Sequence, residues 1–251
     1  MPYAPYVLGT GLSLAGLLMT LILYGLPGVR RLAFQLIPWS VGRAWPVLAV
    51  CLLLPLGVVV LAVMILAALG TPVSPLLWRE WLPYPYCAVI GEGLIGAGLI
   101  EEIGWRGFAL PHLQRRCSAL VSSLIIGVVW GFWHLPNFVL LSPIEWGLVA
   151  ACVANLTAMS VVFTWAYNTT GGSLFAIVLL HGAVVASRDL FASLDSGGLL
   201  REGMIEGLLY AVIAVGLVWR YGAANLSPRY RLVAQPPDTR LHQPVRFASR
   251  R

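Results

Sequence analysis

The stretch PVLAVCLLLPLGVVVLAVMILAAL, residues 46–69, carries no charged side chain and is long enough to cross a bilayer as one helix. Similar segments recur along the chain, in which 59% of the 251 residues are hydrophobic and 10% are charged. Soluble domains carry about 25% charged residues. The composition therefore predicts an all-α, polytopic membrane helix bundle with about seven to eight transmembrane helices and no sizeable soluble domain.

Seven apolar segments are predicted to be the membrane helices. They cover residues 5–26, 46–69, 86–112, 119–140, 146–167, 172–187 and 203–219. The first segment has neither a basic n-region nor a small-residue cleavage site. We therefore expect it to be a retained span rather than a signal peptide.

The distribution of arginine predicts the orientation of the bundle. The odd-numbered connections contain Arg30, Arg31, Arg43, Arg115, Arg116 and the basic tail from Arg220, whereas the even-numbered ones are mixed or acidic. Because basic loops stay on the cytosolic side, we expect a multi-pass protein of the cell membrane with its N-terminus outside and its C-terminus in the cytosol. The net charge of +6 is no sign of nucleic-acid binding, and we expect no nucleic acid as partner.

Ionisable side chains within the predicted helices are the candidates for function, because inserting one costs roughly 3 kcal/mol. Those that we single out are Glu92, Glu101, Glu102, Arg106, His134 and His181. Glu102 precedes Arg106 by four residues, which is the favourable order and spacing for an ion pair on a helix. Glu101 then points about 100° away around the axis and has no local partner.

The two histidines lie on two further helices. His134 lies in VVWGFWHLPN, residues 128–137, and Pro136 cannot donate a hydrogen bond to the carbonyl of Phe132. We therefore expect the helix to open beside the imidazole and to admit water. Alone, either histidine would more often be a hydrogen-bonded interior residue. Their occurrence together with Glu101 favours a joint site.

Glu101, His134 and His181 suit two kinds of hydrolytic site. In a zinc site they would be the three protein ligands, and a water would hold the fourth position. In a metal-free site Glu101 and His134 would polarise a water for attack on a carbonyl, and His181 would stabilise the oxyanion. The spacing does not choose between zinc and a metal-free mechanism. The chain has no Gly-x-Ser-x-Gly motif, which makes a serine nucleophile less favoured.

Three motifs resemble the CAAX prenyl protease and bacteriocin-processing family, the intramembrane proteases of abortive-infection type. They are EEIGWRG at 101–107, WGFWH at 130–134 and TTGGSLFAIVLLHG at 169–182, in the order that the family has. The resemblance runs from about Gly91 to Val185. It implies an intramembrane endopeptidase of glutamate or metallo type that hydrolyses a membrane-presented peptide or protein in the lipid bilayer.

Carried over by matching position, the resemblance implies a role for each motif residue. Glu101 would activate water, His134 would hold the water or metal, and His181 would face the oxyanion. Glu102 and Arg106 would support Glu101, and Trp130 occupies the family's aromatic position.

One position departs from the family pattern. Val185 stands where the family commonly has an asparagine that helps to bind the oxyanion, and losing one such donor lowers the rate by about 10² to 10³. Asn137, Asn155 and Ser187 are the candidates to replace it. The departure leaves a non-enzymatic alternative open, in which the same polar network serves a membrane scaffold, an immunity protein or an ion or proton path.

On the peptidase hypothesis the chain has four parts. These are N-terminal transmembrane helices over 1–85, a catalytic helix core over 86–190, a C-terminal transmembrane helix over 191–219 and a cytosolic basic tail over 220–251. No oligomeric state follows from the sequence.

Overall fold

The computed structural model describes residues 4–71, 86–136, 145–189 and 196–234, and the regular secondary structure of these residues is entirely helical. A short 3₁₀ helix, Pro38–Ala44, follows the first long helix. The long elements, in chain order, are α1 (Ala4–Gln35), α2 (Pro46–Ala68), a segmented helix α3 over 87–113, α4 (Ala119–Trp133), α5 (Trp146–Thr169), α6 (Leu174–Asp189) and α7 (Ser196–Tyr221).

Several of these helices have the length and composition of membrane spans. In the described ranges the long ones are Thr10–Gln35, Pro46–Ala68, Trp146–Thr169 and Arg201–Tyr221, and α4 and α6 are shorter apolar helices. Large apolar side chains on the outer faces are open, as in Leu53 at 62% and Val212 at 70% exposure. Water disfavours such faces and lipid accepts them. The prediction of an all-α polytopic membrane bundle is confirmed.

Helix α6 lies at the centre of the bundle. Leu174, Ile177, Leu180 and Ala183 are each at most 1% exposed. The helix packs against α2 and the first part of α3, while α5 packs against α4 and α7, and α1 packs against the second half of α3. A polar side chain on α6 therefore has protein around it instead of lipid.

Helices α4 and α5 approach each other closely along a glycine face. A Cβ atom at Gly127 would lie 2.5 Å from the Cα atom of Thr157, and one at Gly131 would lie 2.7 Å from the Cα atom of Val153. Small residues of this kind allow helix backbones to come into contact in membrane bundles. The contact holds α4 firmly against α5.

The helix predicted over 86–112 forms as a series of segments rather than as one regular α-helix. The chain forms a π-helix over Cys87–Ile95, an α-helix over Ala97–Glu102, a second π-helix over Ile103–Ala109 and a final α-turn over Leu110–Leu113. Between the first two segments Gly96 is extended, with φ −91° and ψ −146°. Apolar composition alone does not distinguish these geometries, and π segments frequently occur at functional sites.

Other helix ends also differ from the predicted ones. Helix α1 resumes after a break at Gly25, where φ is +64°, and continues to Gln35, so Arg30 and Arg31 lie in a helix rather than in a connection. Helix α4 ends at Trp133, residues 135 and 136 are again helical, and residues 137–144 lie outside the described ranges, so the predicted end at 140 is not tested. Helix α7 begins at Ser196, seven residues before its predicted start at 203.

The first part of the predicted tail packs back on the bundle. Gln114 and Asn168 exchange two side-chain hydrogen bonds of 3.2 and 2.9 Å. The Leu232 N–H donates to Asn168 Oδ1 at 3.3 Å, and Arg231 Nε donates to the Gln114 carbonyl at 3.0 Å. Residues 222–234 are therefore attached to the helix ends, and 235–251 lie outside the described residues.

Candidate active site

The predicted pair of Glu102 and Arg106 forms inside the bundle. Arg106 Nη1 donates to both carboxylate oxygens of Glu102 at 2.9 and 3.0 Å, and both residues are fully buried. The guanidinium carbon also lies 4.8 Å from the ring centre of Trp130 and 4.6 Å from that of Phe163. Desolvated cation–π contacts of this kind stabilise a buried arginine in addition to its ion pair.

Glu102 also holds His181, which comes from the central helix α6. The distance between His181 Nδ1 and Glu102 Oε1 is 2.7 Å. Because an ionised carboxylate only accepts hydrogen bonds, Nδ1 carries the proton in this contact. The imidazole is thereby fixed in orientation, and its Nε2 atom is available for other chemistry. The resemblance had implied that Glu102 supports Glu101, and this contact with His181 was not foreseen.

Glu101 is buried at 8% exposure and receives its hydrogen bond from another helix. Trp130 Nε1 on α4 donates to Glu101 Oε2 at 2.7 Å. The expectation that Glu101 has no partner on its own helix agrees with this arrangement, but the bond from α4 could not be anticipated. This bond holds one carboxylate oxygen of Glu101 against the indole N–H of Trp130. Glu101 also lies in electrostatic range of Arg106 and His181.

His134 occupies the end of α4, as the proline argument predicts. The helix stops at Trp133, His134 is the C-terminal capping residue, and its ring is half-buried. Its Nδ1 atom lies 2.9 Å from the Trp130 carbonyl. Since a carbonyl only accepts, Nδ1–H donates there, and Nε2 of the neutral ring is left with its lone pair.

Trp130 links the three candidate groups. Its indole N–H binds Glu101, and its ring centre lies 6.2 Å from the ring centre of His134 and 5.4 Å from that of His181. The helices thus bring Glu101, His134 and His181 to one place, around the Trp130 side chain.

The described residues do not present a ready zinc site. Among them, Glu101, His134 and His181 included, no three His, Cys, Asp or Glu side chains are grouped as metal ligands. The hydrogen bonds at Nδ1 of His181 and at one oxygen of Glu101 leave Nε2 and the other carboxylate oxygen, and a metal-ligating histidine usually donates its second N–H to a carboxylate in this way. A tetrahedral three-ligand site needs donor atoms that converge on one point. Zinc therefore stays a prediction of the sequence, and we derive no step through it.

The candidates to replace the missing asparagine lie elsewhere or outside the described ranges. Asn137 falls in the segment 137–144, which the structure does not describe. Asn155 Nδ2 donates to Glu206 Oε2 at 3.2 Å, and Ser187 Oγ donates to the Ala183 carbonyl at 2.6 Å. Both side chains therefore already take part in hydrogen bonds with partners other than His181.

Two residues of α5 complete the site and were missed in the sequence. Ser160 Oγ accepts a hydrogen bond from Arg106 Nη2 at 3.3 Å, and the ring centre of Phe163 lies 5.9 Å from that of His181. A serine and a phenylalanine in an apolar helix give no signal that separates them from packing residues. Glu206 lies apart from this site and was also missed as an ionisable residue, although it lies in the predicted helix 203–219 and the rule used for the other ionisable residues applies to it.

Fold and site together define a polytopic membrane protein with a buried glutamate and histidine centre. A sequence model of the family described as Type II CAAX prenyl endopeptidase Rce1-like matches residues 57–187, just over half of the chain, and this span includes every residue of the centre. The chain belongs to this family.

A curated relative is similar over a shorter stretch. The chain is 23% identical over 127 residues to CAAX prenyl protease 2 of Methanococcus maripaludis, which is 48% of this chain and 47% of that protein. The chain thus spans about half the length of the curated relative that it matches.

Proposed function

We propose that this protein is an intramembrane endopeptidase that hydrolyses a peptide bond of a membrane-presented peptide or protein by attack of water. The observation that carries the proposal is the buried centre in which Glu102 fixes His181 while Glu101 keeps an oxygen for chemistry. Charged side chains that serve only the structure of a membrane bundle must be neutralised by a partner. Glu102 and Arg106 neutralise each other and need no further charged residue for this purpose. The additional presence of Glu101 and two oriented imidazoles supports a catalytic use.

Glu101 is the general base in this proposal. Glu102 is fully engaged by Arg106 and His181, whereas the described residues give Glu101 one hydrogen bond, from Trp130. A base needs an oxygen within hydrogen-bond reach of the water that it deprotonates. His134 Nε2, with its lone pair, would accept a hydrogen bond from the same water and orient it.

His181 stabilises the oxyanion. Glu101, Glu102 and Arg106 together carry one excess negative charge, and a protonated His181 brings the buried group to neutrality. The imidazolium donates through Nδ1 to Glu102 and through Nε2 to the developing oxyanion. Glu102 and Arg106 are then positioning residues, because they act through His181.

The reaction proceeds in two balanced steps. Glu101 takes a proton from the water while the water oxygen bonds to the carbonyl carbon of the substrate. The π electron pair of the carbonyl group moves to the carbonyl oxygen, which faces His181. The tetrahedral intermediate collapses as the C–N bond breaks, and Glu101 returns the proton to the leaving nitrogen. The products are a carboxylic acid and an amine, and the enzyme forms no covalent intermediate.

Cleavage of a quenched fluorescent peptide by the full chain in liposomes tests the proposal. Two matched peptides, with and without a prenylated C-terminal Cys-a-a-X sequence, distinguish a prenyl-dependent substrate from a general one. We expect Glu101→Gln and His181→Ala to lose cleavage by at least about 10², the scale of a general base or an oxyanion donor. Glu145→Gln is the control, since Glu145 is an exposed carboxylate before α5 that is not among the candidate residues.

The result has a clear contrary outcome. Full cleavage by folded Glu101→Gln protein would contradict the assignment of the base. The wild-type chain could also cleave neither of the two peptides and no member of a wider library of membrane-presented sequences. That result would favour the scaffold alternative.

We also propose that the N-terminus lies outside and the C-terminus in the cytosol, on the arginine distribution. A membrane-impermeant thiol reagent tests it in whole cells. In a chain without its native cysteines, a cysteine replacing Arg115 should stay unlabelled, and one replacing Glu145, in the next connection, should be labelled. The reverse pattern would invert the topology.

A further inference from the structure

A second buried polar cluster lies apart from the proposed active site. It consists of Asn155 on α5, Arg188 on α6 and the pair Glu202 and Glu206 on α7. Arg188 is seven residues beyond His181, about 10 Å along α6. Glu206 Oε2 forms an ion pair with Arg188 Nε and accepts a hydrogen bond from Asn155 Nδ2, each at 3.2 Å.

Three oxygen atoms of this cluster have no donor. Glu202 Oε1, Glu206 Oε1 and Asn155 Oδ1 are buried and have no hydrogen-bond partner among the described residues. The three residues are 5%, 1% and 2% exposed. Buried polar atoms are almost always hydrogen-bonded, and all three orphans are acceptors. The missing partner is therefore a donor or a cation.

The charges of the cluster favour a cation. When both carboxylates are ionised, they face one guanidinium and one negative charge is uncompensated, and Glu202 lies in electrostatic range of both Glu206 and Arg188. Cys152 and Tyr210 also face Arg188, and neither brings a positive charge. The Arg188 side chain, which is the ion-pair partner of Glu206, is 46% exposed, so it lies partly outside the bundle.

We propose that Glu202, Glu206 and Asn155 bind one oxygen-preferring metal cation of the Ca²⁺ or Mg²⁺ class. Carboxylate and amide oxygens are the ligands that these hard cations take, and water completes their coordination. The ion gives each orphan oxygen a partner and links α5 to α7. Arg188 competes for Glu206 from the half-exposed side, so ion binding displaces it. The site does not involve the residues of the proposed peptidase.

Equilibrium dialysis of the chelator-treated full chain in detergent against CaCl₂ or MgCl₂ tests the proposal. We expect one bound ion per chain. Glu202→Gln and Glu206→Gln should each weaken binding at least about tenfold, since even changes to residues that only hydrogen-bond the ligands of a metal lower its affinity about 10- to 100-fold. Glu145→Gln, an exposed carboxylate before α5, is the matched control and should bind like the wild type. Arg188→Gln should bind more tightly, because the competing cation is gone.

A second measurement does not depend on the folding of any variant. An ion that binds the folded chain raises its Tm with increasing concentration, so CaCl₂ or MgCl₂ should raise the wild-type Tm in a saturable way. Absence of saturable binding by the wild type, or unchanged binding in both glutamine variants, would overturn the site. Peptide cleavage in Glu206→Gln reports on the proposed active site separately, and we expect it to be retained.

Discussion

Substitution of Trp130 by phenylalanine tests the hydrogen bond around which the candidate site is arranged. The change removes the indole N–H that donates to Glu101 at 2.7 Å and keeps an aromatic ring in the place that contacts Arg106. Hydrogen bonds to charged groups contribute about 1.5–3 kcal/mol, and Trp130 and Glu101 are 2% and 8% exposed. We expect Trp130→Phe to lose about that much free energy of unfolding, in addition to the effect of the smaller ring.

Trp165→Phe is the matched control. The Trp165 indole nitrogen is buried without a hydrogen-bond partner among the described residues, so its removal relieves an unsatisfied donor. Both variants lose the same ring atoms, and the difference in their stability combines the lost bond to Glu101 with the relieved donor at Trp165. We expect Trp130→Phe to be less stable than Trp165→Phe by at least about 1.5 kcal/mol.

Unfolding of both variants by SDS titration, with helicity as the signal, measures this difference. Cleavage assays on the same proteins should show a kcat at least about tenfold lower for Trp130→Phe, because a misplaced base transfers protons inefficiently. Equal stability of the two variants would refute the reasoning, since Glu101 would then not depend on the indole N–H.

Three other substitutions test the bundle and the site. Arg106→Leu should cost about 3–5 kcal/mol because it leaves the Glu102 carboxylate buried without its ion-pair partner, and the double variant with Glu102→Leu should recover part of this in a double-mutant cycle by SDS titration. Gly127→Ala should destabilise by about 1–3 kcal/mol because its methyl group meets the α5 backbone, whereas Gly216→Ala, which meets open space, should stabilise slightly. Val185→Asn, one turn after His181, should raise kcat if an amide there reaches the oxyanion, and no rise would remove that explanation of the family pattern.

The class of fold could be predicted from composition, because runs of about 20 apolar residues have few alternatives to a membrane helix. The helices of α2, α5 and α6 lie within a few residues of their predicted ranges. The continuation of α1 beyond Gly25 and the π segments of α3 could not be predicted. A helix that is apolar on most sides has no single hydrophobic stripe, so its sequence does not show where the number of residues per turn changes.

The candidate site could be predicted only where a rule acts within one helix. The pair of Glu102 and Arg106 follows from a spacing of four, and the opening of α4 at His134 follows from Pro136. The contacts from His181 to Glu102 and from Trp130 to Glu101 join residues that are 79 and 29 positions apart. Long-range contacts of this kind depend on how helices pack, and no local pattern encodes them.

The π-helical segment Ile103–Ala109 has a consequence for changes in chain length. A π turn is an α-helical turn with an extra residue, so deleting one residue there restores a regular helix and leaves both flanks facing as before. The same deletion within a regular helix would rotate everything beyond it by about 100°. A deletion between Glu102 and Arg106 would shorten their spacing to three, which also lies on one helix face. Relatives that are one residue shorter at this place can therefore retain the same ion pair.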